Sequence, residues 1–179
     1  TAQNSSLRND MYIVAVSAVP KEGMFHVSNS ERDRFSLVPH LNLAIGSGEL
    51  HLDSSDPHVQ PQINYNYLRE SFDLERLREA VNVCLGLSQR EELKSIIEAR
   101  TDPTPADLAT EHTLNNWLMR KAITSHHISS TCKMGPSSDP MAVVDQEGKV
   151  HGIEGLRVGD ASIMPDCIRA NTNVTAMAI

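Results

Sequence analysis

An α+β fold, with a mixed or antiparallel sheet and helices on one side, is predicted by the way hydrophobic periodicity changes along the chain. Strand-like runs fill the first third, helical spacing fills the middle, and short strand patterns return towards the end. Strands and helices are thus segregated rather than alternating. No internal repeat or low-complexity tract interrupts the order.

Met11 to Val19 is a nearly unbroken apolar run of strand length between Asn9-Asp10 and Pro20, as expected of a strand buried on both faces. Phe35 to Ile45 leads into Gly46-Ser47-Gly48, and Glu49-Leu50-His51-Leu52 follows with period-two alternation, which predicts a hairpin. Ser54 to Tyr67 carries Pro57 and Pro61 among polar residues and predicts an extended excursion. Asp73 is expected to cap a helix with Leu74, Leu77, Ala80, Val81, Cys84 and Leu85 on one stripe and Glu75, Arg76, Arg78 and Glu79 towards water. Ser88-Gln89-Arg90-Glu91 has the form of a capping box opening a second helix, with Leu93, Ile96 and Ile97 inward. After the break at Asp102-Pro103-Thr104-Pro105, Leu114, Trp117 and Leu118 mark a third helix. Ala142 to Asp145, Lys149 to His151 and Leu156 to Gly159 then read as short strands, the first two joined by a Gln146-Glu147-Gly148 turn.

The 179 residues, 40% of them hydrophobic, are enough to bury a core and fit one domain or a domain with appendages. The formal charge of -7, from 16 basic and 23 acidic residues without a basic cluster, argues against nucleic acid as a partner. No run approaches the roughly 18 to 20 apolar residues of a membrane span, and the polar start lacks the regions of a signal peptide. Cys84, Cys132 and Cys167 form no CxxC pair, which favours a reducing, cytoplasmic setting over a disulfide framework. The glycosylation patterns at Asn4 and Asn173 carry no implication without secretion. A start at Thr1 and an uncapped apolar close at Ala176-Met177-Ala178-Ile179 predict a piece of something longer.

Three motifs carry the chemistry. They are His126-His127-Ile128-Ser129-Ser130-Thr131-Cys132-Lys133-Met134-Gly135, Gly155-Leu156-Arg157-Val158-Gly159-Asp160-Ala161-Ser162-Ile163-Met164-Pro165, and Asn171-Thr172-Asn173-Val174-Thr175. A neutral imidazole accepts a hydroxyl proton near neutral pH, and a carboxamide donates to an oxygen that gains charge. The competing structural readings are a histidine in a polar turn, a turn residue at Asp160, and a helix cap at Asn171. Zinc held by His126, His127 and Cys132 has little support, since adjacent histidines diverge and no fourth ligand stands at a metal spacing. Isolated Lys133, Arg157 and Arg169 are assigned no function.

In this order the motifs resemble the C-terminal region of the glucose-methanol-choline (GMC) family of FAD-dependent oxidoreductases. Ser47 to Leu52, Asp56-Pro57, Pro61 to Leu68 and Asp73 to Leu77 are similar to that family's substrate-binding domain, so the likeness runs from about residue 36 to the end. The resemblance implies a substrate-binding domain over residues 1–125 and, over residues 126–179, a catalytic segment returning to the FAD domain. It implies that His127 takes the hydroxyl proton while hydride goes to the flavin N5, and that Asn171 holds the alkoxide. It also implies that Asp160, Ala161, Asn173, Val174 and Thr175 line the FAD, a helix starting near Asn171 aiming its N–H groups at the flavin.

The chain departs from the family pattern at Ser130, where Gly is usual before Thr131, at Ser129, and at His126, where an aromatic residue is common. A Rossmann cradle with GxGxxG is missing, Gly46-Ser47-Gly48 being a lone GxG. The expected partners are therefore a small alcohol, primary or an amino or sugar alcohol, and an FAD-binding domain of the same protein or a companion chain. The segment alone is expected to be inactive. The alternatives are an inert binding module without flavin and a non-redox lyase of the same family.

Overall fold

The computed structural model describes Ala2, residues 5–16 and residues 35–179. The expected continuation of the first strand through Ser17 to Val19 and the Asn4 glycosylation pattern lie outside these described residues. The chain divides into two units, Thr1–Ile123 and Thr124–Ile179.

In the first unit, β1 (Met11–Val16) pairs antiparallel with β2 (Ser36–Leu41), Met11 opposite Leu41 and Val16 opposite Ser36. The Tyr12 and His40 rings stack across this pair at 4.5 Å. A second ribbon joins β3 (Glu49–His51) to β4 (Gln62–Asn64), also antiparallel. The expected hairpin through Gly46-Ser47-Gly48 is therefore wrong: its two arms pair with other strands, and the described residues hold two separate two-stranded sheets in place of one larger sheet. The glycines serve close approach instead of a turn. A Cβ on Gly48 would lie 2.5 Å from the Asn64 carbonyl oxygen of β4, and one on Gly46 would lie 3.1 Å from the Asp73 carboxylate.

Helix α1 (Ser71–Ser88) buries Ala80, Val81 and Cys84 as its apolar stripe predicts. Arg76, expected in water, is buried at 2% exposure. Its guanidinium donates to Asp10 at 3.1 Å, to Asp73 at 2.7 Å and to the carbonyls of Asn42 and Leu43 at 3.2 and 2.9 Å, above the Phe72 ring. The planar five-donor fork suits a site that must satisfy several acceptors at once. Asp73 does not cap the helix. Glu70 is the cap residue, and the Asp73 carboxylate accepts from the N–H groups of Ile45 and Gly46 at 3.1 and 2.9 Å. One charged cluster thus fastens the start of β1 and the chain after β2 to α1.

The Ser88 capping box is also corrected, because Ser88 is the last residue of α1 and its hydroxyl donates to the Leu85 carbonyl. Helix α2 (Glu91–Lys94) is one turn capped by Arg90, and Ile96 stands exposed. Helix α3 (Glu111–Lys121) does carry a capping box, with reciprocal bonds between Thr110 and Thr113, and buries Leu114 and Leu118. These two pack with Val81 as a core, flanked by Leu68, Leu74, Leu77, Leu85, Leu108 and Trp117. Arg78, half-buried, links α1 to α3 through Glu111 and Asn115. Among the described residues no helix is long and apolar enough to cross a membrane.

In the second unit the three expected strands are reduced to single bridges, Met134 with Val144, Val144 with Val150, and Lys149 with Arg157. Asp145 accepts from the N–H groups of Glu147 and Lys149 and so closes the turn between the first two, with Gly148 at a φ of +74°. Val144, Ile163 and Met164 are buried. A 3-10 turn over Ala161–Ile163 and helix α4 (Asn173–Ala178) complete the unit. The unit is built mainly of loops held by backbone hydrogen bonds, and those loops carry all three motifs.

Candidate active site

Two loops of the second unit are laced together edge to edge. The N–H groups of Ser130, Cys132 and Met134 donate to the carbonyls of Ala161, Ser162 and Ile163 at 3.3, 2.9 and 2.9 Å. The stretch behind His127 is thereby held to the Asp160-Ala161 motif. Two residues bracketing this loop, His126 and Ser130, sit at φ of 64° and 67° in the left-handed region. Ser130 is the position where the resemblance expects glycine, and its dihedral supplies the reason. The His126 N–H donates to the Thr124 hydroxyl at 3.0 Å, which steadies the turn before His127.

The His127 ring is half-buried and meets the third motif at both nitrogens. Its Nε2 lies 2.7 Å from the Asn171 amide nitrogen and its Nδ1 lies 3.2 Å from the Thr172 hydroxyl. An amide nitrogen can only donate, so Asn171 donates and Nε2 accepts. That contact occupies the one Nε2 lone pair, so a hydroxyl entering here reaches it only as the amide turns aside, after which acceptor and donor stand side by side.

Asn171 does not cap a helix. Helix α4 begins at Asn173 with Thr172 as its cap residue, so the helix start is two residues later than expected. Asn173 is exposed and its carboxamide makes no hydrogen bond among the described residues, and Val174 beside it is 72% exposed. Thr175 is half-buried. Asp160 caps the 3-10 turn, its carboxylate accepting from the Ser162 N–H at 2.8 Å. Hydrogen bonds from the Ser162 hydroxyl and N–H hold that carboxyl below the usual carboxylate range. Ala161 is half-buried and offers its carbonyl to Ser130. The structure therefore brings His127 and Asn171 together, places Asn173 and Val174 immediately beyond them, and ties Asp160 and Ala161 to the His127 loop.

Thr172 was not among the residues singled out from the sequence. A threonine ahead of a helical segment reads as a cap, and only the fold turns its hydroxyl to the imidazole. Lys133 is paired with Asp139 at 2.9 Å and Arg157 with the Glu147 carbonyl, which accounts for both cations locally. Among the described residues no group of three or more His, Cys, Asp and Glu side chains is placed to hold a metal ion.

Residues 45–179 match the family model described as GMC oxidoreductase, for the C-terminal part of those proteins. The chain is 40% identical over 132 residues to an oxygen-dependent choline dehydrogenase of Cronobacter sakazakii, covering 74% of this chain and 23% of that relative. Pyridoxine 4-oxidase from Mesorbium loti superposes with a TM-score of 0.71 at 30% identity, over 80% of this chain and 28% of that one. An FAD-dependent oxidoreductase from Chaetomium thermophilum superposes with a TM-score of 0.71 at 26% identity, over 80% of this chain and 24% of the other. The chain thus spans about a quarter of the length of the proteins it matches.

Proposed function

The chain belongs to the GMC oxidoreductase family, as a C-terminal part of such a protein, and from that premise we propose that it forms the substrate side of the active site of an FAD-dependent alcohol oxidoreductase. The observation that carries this reading is the 2.7 Å contact between His127 Nε2 and the Asn171 amide. A base and an oxyanion donor are the two groups an alcohol needs in order to lose its O–H proton as its C–H bond breaks.

His127 binds the substrate hydroxyl through Nε2 and takes its proton. Asn171 turns its N–H from the imidazole to the substrate oxygen and steadies the charge growing there. A bound FAD would supply the acceptor for the hydride that leaves the carbinol carbon. The residues present fit such a group: Asn173 offers a carboxamide without a hydrogen bond among the described residues to a polar heterocycle edge, and the exposed Val174 offers an apolar surface next to it. Thr175, Ala161 and Asp160 complete that wall, Asp160 chiefly by shaping the turn it caps.

The rest of the FAD site belongs to an FAD-binding domain of the same protein or a companion chain, without which this segment is inactive. Leu50, Leu52 and Ile63 on and beside the β3–β4 ribbon are each more than half exposed, as residues of a sheet extended by further strands and backed by helices on one side would be. The substrate is a primary alcohol, with choline the first to test because the similar dehydrogenases are named for it. The three cysteines are free, which accords with a cytoplasmic setting.

The test is the visible spectrum of the whole protein before and after anaerobic addition of choline and a panel of other primary alcohols. A yellow protein that bleaches with an alcohol is expected. A preparation that never takes up flavin would make the chain a binding module, and a yellow protein that cleaves cyanohydrins without bleaching would make it a lyase.

A further inference from the structure

We propose that Thr172 is a positioning residue that, beside the Asn171 amide, holds the His127 ring and accepts the proton of its Nδ1–H tautomer. This rests on the reading of His127 as a base, and it concerns how the lone pair comes to stand on the correct nitrogen. The Asn171 amide nitrogen has protons and no acceptor capacity, so at 2.7 Å it requires Nε2 to be unprotonated. A neutral imidazole carries one ring proton, which must then reside on Nδ1, and the atom facing Nδ1 is the Thr172 hydroxyl oxygen at 3.2 Å. The hydroxyl accepts from that Nδ1–H, so the amide selects the tautomer and Thr172 satisfies its proton and holds the ring plane.

A second observation points the same way. Thr172 occupies the cap position of α4, where threonine is a favoured residue because its oxygen can accept from the first helical N–H groups. Its side chain makes no capping bond, and its backbone carbonyl accepts from Ala176 at 2.8 Å. The hydroxyl is thus withdrawn from the local role its position favours and given to a ring 45 positions earlier in the chain. Because Asn171 and Thr172 are consecutive, a single peptide grips both nitrogens. Rotating the imidazole breaks both bonds at once, whereas moving its proton to Nε2 sets two donors face to face at Asn171 and obliges the Thr172 hydroxyl to turn round and donate.

The experiment uses the whole flavoprotein labelled with 15N in its histidine rings, with Thr172→Val, Thr172→Ser and His127→Gln variants. The His127 signals are identified by their loss in His127→Gln. In the unmutated protein Nδ1 is expected to show the shift of a protonated ring nitrogen and Nε2 that of an unprotonated one. Thr172→Val is expected to move both towards a mixture and to lower the limiting rate of flavin reduction by choline roughly 3- to 10-fold, the net worth of one hydrogen bond. Thr172→Ser is expected to restore signals and rate. A protonated Nε2 in the unmutated protein, unchanged signals in Thr172→Val, or no restoration by serine overturns the proposal. Failure of the underlying reading looks different: His127→Gln would then reduce its flavin as fast as the unmutated protein, whatever the Thr172 variants do.

Discussion

The Asn171 amide nitrogen stands 2.7 Å from His127 Nε2, although 44 positions of chain separate the two residues. Neither side chain is costly to place alone, since one sits within a loop and the other precedes a short helix. Their convergence is what needs a fold. The lacing of residues 130–134 against residues 161–163 supplies it by fixing the chain behind His127.

If the pair acts as base and oxyanion donor, the two truncations should be separable in the reductive half-reaction. His127→Ala should slow flavin reduction by about 10²- to 10⁴-fold, the usual contribution of a positioned general base. Asn171→Ala should slow it by about 10²-fold or more, as loss of an oxyanion donor does. Rapid-mixing absorbance of the whole flavoprotein measures both. An effect under tenfold for His127→Ala removes it from the role of base, and unchanged kinetics in Asn171→Ala leaves that amide only a loop contact.

Ser130 gives a prediction about stability. At a φ of 67° its Cβ is crowded in a way glycine avoids, while its N–H holds the Ala161 carbonyl. Ser130→Gly should be neutral or stabilising by up to about 1 kcal/mol, the relief of strain being partly offset by the greater freedom glycine has when unfolded. Ser130→Val should be destabilising by about 1 to 3 kcal/mol, because a β-branched residue tolerates this region least. Denaturant titrations of the two variants beside the unmutated protein decide it. A stable valine variant would mean the loop does not hold this conformation.

What could be read in the sequence and what could not follows from the range of each interaction. Leu114, Trp117 and Leu118 announced α3 because helical spacing is local, and the pairing of Thr110 with Thr113 spans three residues. Motif order singles out His127 and Asn171, whereas Thr172 is hidden because its local meaning is a cap. Arg76 was misplaced because an arginine among other charged residues looks solvated, and the Asp10 that accepts it lies 66 positions away. Gly46-Ser47-Gly48 reads as a turn, since a glycine needed for close approach to another strand looks in sequence like one needed for a bend.

Arg76 itself supports a test of the first unit. It is 2% exposed, with Asp10 at 0% and Asp73 at 3%, so removing the cation leaves two carboxylates buried without it. Arg76→Met should cost about 3 to 5 kcal/mol, as breaking a buried ion pair from one side does. Arg76→Lys should recover only part, because an ammonium on a flexible stem cannot reach the Asn42 and Leu43 carbonyls and both carboxylates together. Unfolding of the whole protein followed by hydrogen exchange in α1 measures this locally, and protection unaltered in Arg76→Met would show that the cluster does not hold β1 and β2 to the helix.

Asp10 makes the same cluster dependent on pH. Burial pushes its carboxyl up, but bonding to Arg76 and to its own backbone outweighs burial and holds it below the usual carboxylate range. A carboxyl with a lower pKa folded than unfolded binds fewer protons in the native state, so it stabilises fully above the unfolded value, and that contribution is lost as pH falls through about 4 towards the folded value. Asp10→Asn should therefore lower the thermal midpoint at pH 7, and its deficit should shrink on acidification to pH 3, where the Asp10 carboxyl of the unfolded chain has largely taken up its proton. Asp107, Asp139, Asp145 and Asp160 are also held low by hydrogen bonds, yet they titrate alike in both proteins and cancel in the difference. A deficit that stays constant from pH 7 to pH 3 would mean that the Asp10 charge is not what secures β1, and that packing of the side chain alone accounts for the loss.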